Sequence, residues 1–455
     1  MSEHHDKRAV HRALTKPGAA PVLSVSMQRT LDHKHAAQAE VPWEVLRRRA
    51  HATKAHAIAN LGSLLLEFEK QFQARGGRLL WARSAEEGAQ RFLEICRRHG
   101  AKSVVKGKSM LSEELELNAR LAAVGIDAVE TDLGEFIVQL AGQKPSHIIA
   151  PAVHLSRSDV ASLFAQKLGI AYTDDPVALS MAARSRLRER YLRAGVGMTG
   201  VNFAVAESGT LVVVENEGNA GLSAGVPPVH VFLMGIEKVI ARLSDVPLFL
   251  YLLSRAGTGQ KLSTYTHFFL GAQSGQSVYC IVVDAGRTAI LADPATRESL
   301  YCIRCGACMN VCPVYRRVGG QAYGGVYPGP IGSTVTPLMN GLANAAELPF
   351  ASTLCGACQQ ECPVNIDLPH QLVYLRHKAV AARAAGSSAE RTSFALWARA
   401  MSSQKAYERA VRLLRRLQSV SRALGLRPAP LRAWSRRREL PAVARETFKE
   451  WWRRR

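Results

Sequence analysis

Hydrophobic and polar residues follow two alternating periods along the first 150 positions of the chain. Between residues 41 and 75, apolar side chains recur every three to four positions, which predicts an amphipathic helix. Short apolar runs typical of strands then alternate with helical spacing, and this alternation predicts an α/β sheet with flanking helices. The predicted strands are 78–82, 103–106, 128–130 and 147–150; the predicted helices are 84–99, with Ser84 and Glu87 as a capping box, and 112–124, capped by Ser112.

Strand signals dominate the next part of the chain, up to residue 283. Four apolar runs separated by glycine-rich turns are expected to extend or pair with the same sheet, and the domain is expected to end near Leu291. Gly218–Gly221 lies among these runs and is predicted to be a turn and not a dinucleotide fingerprint; the chain also has no P-loop motif. The four runs are residues 203–206, 209–215, 229–233 and 277–283.

Seven of the nine cysteines form two runs of nearly identical spacing after residue 300. The first run has the pattern C-x2-C-x2-C-x3-C-P of bacterial iron–sulfur proteins, whose soft thiolate ligands suit iron. The second run repeats this pattern 50 positions later, with a serine where the first cysteine would stand. The first run is Cys302, Cys305, Cys308 and Cys312, followed by Pro313; the second is Ser352, Cys355, Cys358 and Cys362, followed by Pro363.

These cysteines predict two clusters, expected to be of the 4Fe–4S type, with crossed ligation. In two-cluster ferredoxins the last cysteine of each run ligates the other cluster. Zinc is disfavoured because zinc sites usually place a dozen or more residues between paired C-x2-C units. A disulfide framework is disfavoured in a chain of this length without a secretory signal. Crossed ligation assigns Cys302, Cys305, Cys308 and Cys362 to the first cluster and Cys312, Cys355 and Cys358 to the second.

The second cluster lacks one cysteine ligand, and three interpretations fit. The first is a 3Fe–4S cluster with three thiolates. The second is a four-iron cluster with an open or oxygen-ligated iron. The third is a cluster completed by another residue. The nearby oxygen donors are Ser352, Glu361 and Asp367. Cys280 is a less favoured donor, because it and Cys96 lie in apolar surroundings and are predicted to be buried hydrophobic residues. We favour a four-iron cluster with non-cysteine ligation.

Charge is concentrated at the ends of the chain. The net charge is +22, and residues 371–455 contain 21 Lys and Arg against 5 Asp and Glu. The basic end is interpreted as a solvated extension, or as a segment that binds an acidic protein or the inner face of a membrane; nucleic acid is disfavoured. Cluster-forming cysteines fit a reducing cytoplasm, and no apolar stretch of about 20 residues predicts a membrane span. The apolar residues among the arginines are Leu413, Leu414, Leu417, Trp434, Trp451 and Trp452.

Four segments follow from these patterns. Helical spacing around both cysteine runs, and the long glycine- and proline-rich stretch between them, favour a helical two-cluster module over a minimal β-type ferredoxin. The segments are 1–40, polar and expected to be mobile; 41–291, the α/β domain; 292–390, a ferredoxin-type iron–sulfur domain; and 391–455, a basic helical tail.

Polar residues near the ends of the predicted strands form a candidate ligand pocket. In open α/β sheets, ligands bind in the crevice beyond the carboxyl ends of the strands, and lysines beside a serine-capped helix start suit an anion such as a carboxylate or phosphate. The alternative is a structural network in which the acidic residues pair with the lysines and cap helices. No nucleophile–base set stands out, so the catalytic residues are unknown. The candidates are Lys106, Lys108, Glu130, Asp132, Glu135, His147 and His154, with Glu207, Thr210, Glu215 and Asn219 lining the same crevice.

Several short motifs accompany the two cysteine runs. They are Val105–Met110, Glu130–Glu135, Lys144–His147, Ala206–Thr210, Glu215–Asn219 and Tyr327–Gly332. Together they resemble the lactate utilization protein B family, the iron–sulfur subunit of a three-protein L-lactate oxidation system. The resemblance covers about residues 25–385, includes the serine of the second run, and leaves the tail beyond Arg391 as the least typical part. It implies an N-terminal domain similar to sugar-isomerase and CoA-transferase folds, other subunits as partners, and electron flow from lactate toward a quinone or another carrier.

The leading hypothesis is therefore an electron-transfer subunit of a complex that oxidises L-lactate to pyruvate. Arg304, inside the first run, is expected to raise the reduction potential of its cluster. One rival is a self-contained α/β enzyme for an acyl or phosphorylated compound, with structural clusters. The other is an iron–sulfur regulatory sensor that binds nucleic acid through the tail.

Overall fold

The computed structural model describes residues 19–272, 275–423, 444 and 446–455. They fall into two compact units, Met1–Ala384 and Ala385–Arg455. The α/β segment and the cysteine segment, which the sequence predicts as consecutive domains, therefore share one unit. Trp434 of the basic tail lies outside the described residues.

Ten strands form two sheets in the described part of the first unit. They are β1 Arg78–Ala82, β2 Ser103–Lys106, β3 Asp127–Glu130, β4 Val196–Gly200, β5 Phe203–Val205, β6 Thr210–Glu215, β7 Val229–Gly235, β8 Val239–Ile240, β9 Tyr265–Phe269 and β10 Ser277–Val283. The larger sheet is parallel throughout and has the order β1-β10-β7-β4-β2-β3. All seven residues of β7 are buried, which is typical of a parallel strand covered by helices on both faces.

The smaller sheet has the order β8-β5-β6-β9, with β6 antiparallel to both of its neighbours. The prediction of one sheet is therefore correct for the runs at 229–233 and 277–283, and wrong for 203–206 and 209–215. A single hydrophobic core continues from this sheet to the cysteine runs and includes Leu211, Phe232 and Cys305. This shared core explains why the two segments form one unit.

Helices surround both sheets. Those of the α/β part are α1 Ala19–Ala39, α2 Trp43–Ala59, α3 Leu61–Ala74, α4 Ala85–Arg98, α5 Met110–Glu114, α6 Leu117–Ala123, α7 Leu133–Leu140, α8 Arg157–Leu168, α9 Pro176–Arg193, α10 Asn219–Gly225, α11 Val246–Gly257 and α12 Arg287–Ala292. Those around the cysteines are α13 Ala307–Val311, α14 Pro313–Val318, α15 Gly329–Met339, α16 Ala357–Gln360 and α17 Leu368–Ala381.

The predicted helix starts are correct in one case and displaced in the other. The Ser84 side chain accepts a hydrogen bond from the Glu87 amide, as a cap should, although the Glu87 carboxylate accepts from Arg83 instead. The helix predicted at 112–124 is two helices, α5 and α6, separated at Glu116, whose φ is +49°. Its cap is Ser109 and not Ser112, because the Ser112 hydroxyl donates back to the Ser109 carbonyl.

Two other local predictions are wrong for identifiable reasons. Residues 147–150 are not a strand: the His147 ring accepts the amides of Ile149 and Ala150, which removes the donors of a strand ladder. Gly218–Gly221 is not a simple turn but the start of α10. The Glu215 carboxylate accepts the amides of the first turn of this helix and satisfies donors that would otherwise be left open.

The N-terminal segment expected to be mobile contains α1. Leu23, Met27 and Leu31 follow each other at four-residue spacing, and all are buried. This face packs against α11, α13 and α14, so α1 covers the cysteine runs. The expectation of a polar, mobile segment overlooked this apolar stripe because charged residues surround it.

The second unit is helical where it is described. Its helices are α18 Ser388–Met401, α19 Gln404–Ala423 and α20 Phe448–Trp452. Large apolar side chains on α18 and α19, including Trp397, Leu413 and Leu417, are more than half exposed. Within the described part of the chain, no helix is long and apolar enough to cross a membrane.

Candidate functional site

The two cysteine runs form the same turn twice. Arg304 and Leu354, at equivalent positions, both have left-handed backbone with φ of +62° and +55°. Two residues later, Gly306 and Gly356 have φ of +78° and +82°, a conformation that glycine adopts without steric cost. A short helix follows each glycine, so the local sequence repeat is also a repeat in three dimensions.

Ser352 occupies the structural position of the first cysteine. In the first run, the Arg304 amide donates to the Cys302 sulfur at 3.4 Å. In the second run, the Leu354 amide donates to the Ser352 hydroxyl oxygen at 3.1 Å. The serine therefore preserves the turn while offering oxygen in place of sulfur.

Cysteines from both runs meet in one narrow internal space. Its wall contains three cysteines of the first run together with the last cysteine of the second, and most of its remaining lining is apolar. This is the set expected from crossed ligation. The four cysteines are Cys302, Cys305, Cys308 and Cys362.

The remaining three cysteines form a second group. Burial, followed by the proximity of Cys312 and Cys355, raises the pKa of the Cys358 thiol to about 12. Cys355 is exposed, and hydrogen bonds from Thr353 and the Ala357 amide lower its pKa. The second group is therefore more open to solvent than the first.

The donor chemistry fits iron–sulfur clusters better than a single metal ion. Burial raises the pKa of Cys305 to about 12 and that of Cys362 to about 11, so these clustered thiols need a cation to be held as thiolates. Among residues 19–272, 275–423, 444 and 446–455, no three His, Cys, Asp or Glu side chains converge closely enough to hold one ion. A zinc ion would bring its thiolates within about 4 Å of each other, since Zn–S bonds are about 2.3 Å. A cubane spaces its thiolates around a larger core.

The oxygen donors near the second group differ in the partners that their side chains already have. Glu361 is paired with Lys34 and His35, and the Asp367 carboxylate accepts the His370 amide as a helix cap. The hydroxyl of Ser352 accepts only from the Leu354 amide of its own turn among the described contacts.

Cys280 lies within β10, fully buried, with Leu79 and Phe232 as its ladder neighbours. Its place in the central sheet removes it as a ligand. Cys96 is also fully buried, as predicted, and burial raises the pKa of its thiol to about 12.

Cations from α1 and α2 hold the second run in place. The Arg47 guanidinium donates to the carbonyls of Cys362 and Gln359 at 2.8 and 2.7 Å. The fully buried Lys34 donates to the Glu361 carbonyl at 3.0 Å. Neither cation was identified from the sequence, because more than 300 residues separate each from its partners and nothing local marks them.

A cavity of about 270 Å³ lies at the carboxyl ends of β2, β4 and β7. Of the predicted pocket residues, Lys108, Asp132, Glu215 and Asn219 line it. The chain leaves β2 toward β3 and leaves β4 toward β7, in opposite directions across the sheet. Such reversals are where ligands bind in open α/β sheets.

Other predicted pocket residues have structural roles. Lys106 and Glu130 form a buried pair at 2.5 Å; burial lowers the pKa of Lys106, but Glu130, Glu113 and Glu135 together raise it, and the net shift is upward. His147 contacts Asn310 at 2.9 Å, and burial lowers its pKa to about 3, so it is a neutral link between the α/β part and α13.

The last four candidates also lie outside the cavity lining. Glu207 accepts the Leu243 amide, Thr210 contacts Ser208, and His154 contacts Gln143. Burial raises the pKa of Glu135 to about 8, with Glu130 adding to the shift. Four of the candidates therefore share one cavity, Lys106 and Glu130 form a buried pair as in the structural-network alternative, and the ligand pocket stays a prediction.

Charged residues concentrate where the cavity meets the first cysteine run. Burial would raise the pKa of Glu237, but Arg287 at 2.7 Å, with Lys238 and Arg304, lowers it to about 2. Burial lowers the pKa of Lys238 to about 8 despite Glu237. The Arg304 guanidinium lies 4.3 Å from the centre of the Tyr327 ring. This end of the cavity therefore carries more positive than negative charge.

A parallel α/β sheet joined to two facing cysteine runs defines this chain as an iron–sulfur protein. Family models match along it: the LUD domain at residues 65–285, the 4Fe-4S dicluster domain at 298–366, and the C-terminal domain of lactate utilisation protein B at 375–455. The dicluster domain means that the chain carries two 4Fe–4S clusters. The third match corrects the expectation that the basic tail is the least typical part of the chain.

Curated relatives give the particular family. Lactate utilization protein B of Oceanobacillus iheyensis is 39% identical over 419 residues, which are 90% of this chain and 87% of that protein. The proteins of the same name from Bacillus cereus strain AH820 and Bacillus thuringiensis strain Al Hakam are 38% identical over 425 residues, 90% of this chain and 88% of theirs. The chain belongs to the lactate utilization protein B family. A solved DUF162 family protein from Deinococcus radiodurans matches 49% of this chain and 98% of its own at 14% identity and a TM-score of 0.28, too loosely for detail to be carried over.

Proposed function

We propose that this chain is the iron–sulfur electron-transfer subunit of a complex that oxidises L-lactate to pyruvate. The observation that carries the proposal is that a buried cysteine group adjoins the α/β cavity, while a second, more open group lies in the same unit. A buried group beside a cavity suits the entry of electrons, and an exposed group suits their exit to a partner. The downstream carrier is a quinone or another electron carrier, and the remaining partners are other subunits of the lactate oxidation system.

The ligand assignment is part of the proposal. The four cysteines around the internal space, Cys302, Cys305, Cys308 and Cys362, hold the first cluster, and Cys312, Cys355 and Cys358 hold the second. The fourth position of the second cluster is open or taken by the oxygen of Ser352, whose turn matches that of Cys302. When bound, each cluster accepts and releases one electron at a time.

The protein supplies shielding and charge around these sites. Ile303, Ile331 and Leu368 exclude water from the first group, because all are buried beside it. Arg304, Lys34 and Arg47 bring positive charge close to the thiolates, which stabilises added negative charge. These contacts favour acceptance of an electron at the buried site.

In this proposal the tail contributes a docking surface. Exposed Trp397, Leu413 and Leu417 alternate with arginines on α18 and α19, a composition that suits an acidic partner or the inner face of a membrane. Peripheral association through residues 391–455 would bring the subunit close to a membrane-bound carrier.

Growth on L-lactate tests the proposal. A strain without this protein should fail to grow on L-lactate, and the wild-type chain and a Cys96→Ser variant should restore growth, because Cys96 belongs to neither cysteine group. A Cys305→Ser variant should fail. Normal growth without the protein would refute the lactate assignment. Failure of the chemically reduced protein to pass electrons to any acceptor would instead favour a self-contained α/β enzyme.

A further inference from the structure

The cavity at the carboxyl ends of the parallel strands adjoins the first cysteine group directly. Ile148, Arg304 and Cys305 line both the cavity and the internal space that the four cysteines enclose. A single layer of residues therefore separates a ligand in the cavity from the buried cluster.

Two cations of the cavity wall have donor atoms without partners. The Lys108 ammonium nitrogen and the Arg304 Nη1 are both buried, and neither has a hydrogen-bond partner among the described residues. Buried charged donors are costly to leave unsatisfied, so such atoms indicate a ligand or ordered water. Because the ammonium and the guanidinium are both positively charged donors, the ligand that they indicate is an anion.

The rest of the lining selects an organic anion over phosphate. Apolar side chains such as Val201, Leu233 and Leu253 cover part of the wall and suit a carbon skeleton. Asp132 and Glu217 also face the cavity; their carboxylates accept from a hydroxyl group and repel a doubly charged anion. Burial raises the pKa of Glu217, and Asp132 adds to this shift, which indicates how close the two acids lie.

We propose that this cavity binds a small 2-hydroxy or 2-oxo monocarboxylate beside the first cluster. The carboxylate lies against Lys108 and Arg304, and the hydroxyl of a 2-hydroxy acid donates to Asp132 or Glu217. A volume of about 270 Å³ accommodates a three-carbon acid with a few waters. The inference rests on the proposed function, since it assigns substrate or product binding to this chain and not to a partner subunit.

Calorimetric titration of the anaerobically purified holoprotein tests this inference. The probes are L-lactate, pyruvate and inorganic phosphate, added to the wild-type chain and to Lys108→Met, Arg304→Gln and Lys102→Met variants. Lys102 is the matched control: it is an exposed lysine at the opposite end of β2. Iron content confirms that each variant is loaded.

The expected result is saturable binding of L-lactate or pyruvate, weakened about tenfold or more in both cavity variants and unchanged in Lys102→Met. The paramagnetic resonance signal of the first cluster should also change on saturation with the carboxylate, while that of the second should not. Binding of phosphate alone, or equal affinities in Lys108→Met and wild type, would overturn the inference.

Absence of binding by either carboxylate would also overturn it. That outcome leaves the proposed function intact if the same protein passes electrons and supports growth on L-lactate, because the acid would then bind to a partner. Carboxylate binding by a protein that passes no electrons would have the opposite meaning. It would support the binding site in the cavity and refute the electron-transfer role.

Discussion

The two cysteine runs share a backbone turn but differ in their surroundings. A methyl group on Gly306 would lie 2.9 Å from the His147 ring, whereas one on Gly356 would meet nothing within 4 Å. The residue before the second ligand position of the pattern is Arg304 in the first run and Leu354 in the second. The first run is therefore packed against the α/β part, while the second is open.

This difference teaches how one repeated motif yields two unequal sites. Three cysteines of the packed run converge with Cys362 of the open run in a shielded space, with a cation at its edge. The open run has an exposed cysteine, Cys355, and a serine oxygen at the position of the first cysteine. Potential, stability and access to partners depend on these surroundings and not on the turn itself.

The largest expected effect comes from two cysteines of the same run. Cys308→Ser should remove the first cluster, whereas Cys312→Ser, four residues later, should remove the second, because the proposed ligation is crossed. In each case iron per chain should fall by about half. Iron analysis with paramagnetic resonance of the surviving cluster distinguishes the two. Loss of the same cluster in both variants would break the comparison.

Alanine at the two glycines should have unequal effects on stability. Both positions have positive φ, so each substitution carries a strain of about 1 kcal/mol. Gly306→Ala adds a clash with His147, whose ring is held by Asn310 and two amides, for roughly 1–3 kcal/mol more. Thermal unfolding under anaerobic conditions should give the lower transition temperature for Gly306→Ala. Equal transitions would mean that the first run is not packed as described.

Restoring the missing sulfur should change only the open site. The Ser352 turn already has the geometry of Cys302, so Ser352→Cys should place a fourth thiolate at the second cluster. We expect slower loss of iron on exposure to oxidant, with the first cluster unaffected. Ser393→Cys, on an exposed helix of the second unit, is a matched control for added thiol. Identical iron loss in Ser352→Cys and wild type would argue that another donor completes the cluster.

The smallest effect is expected on the midpoint potentials of the two clusters. Arg304→Ala removes a positive charge beside the first cluster and should lower its midpoint potential, on the order of tens of millivolts, because the reduced form loses a favourable interaction. Leu354→Ala, which changes no charge at the equivalent position, should leave the midpoint potential of the second cluster unchanged. An unchanged first midpoint in Arg304→Ala would contradict a role for this charge.

Local patterns predicted much of this molecule correctly. The spacing of the cysteines, five of the six strands of the parallel sheet and the cap at Ser84 all depend on neighbours in sequence, whereas strand β4, Val196–Gly200, was not predicted. What was missed depends on distant residues: Lys34 and Glu361 are 327 positions apart, and Arg47 reaches Cys362 across 315. Glu207 and Thr210 were misplaced because alternation identifies a strand but not the sheet that it joins.

His147 illustrates the same limit at short range. Its segment is apolar enough for a strand, yet the ring accepts two of the amides that a ladder would need. The ring orientation that permits this depends on Asn310, 163 positions away. Local periodicity contains no information about that contact.

A redox titration of the anaerobically purified holoprotein, followed by paramagnetic resonance, tests the central claim most directly. Two unequal cluster sites predict two separate one-electron components with different midpoint potentials. A single component, or no component that accepts electrons over the accessible range, would contradict the account.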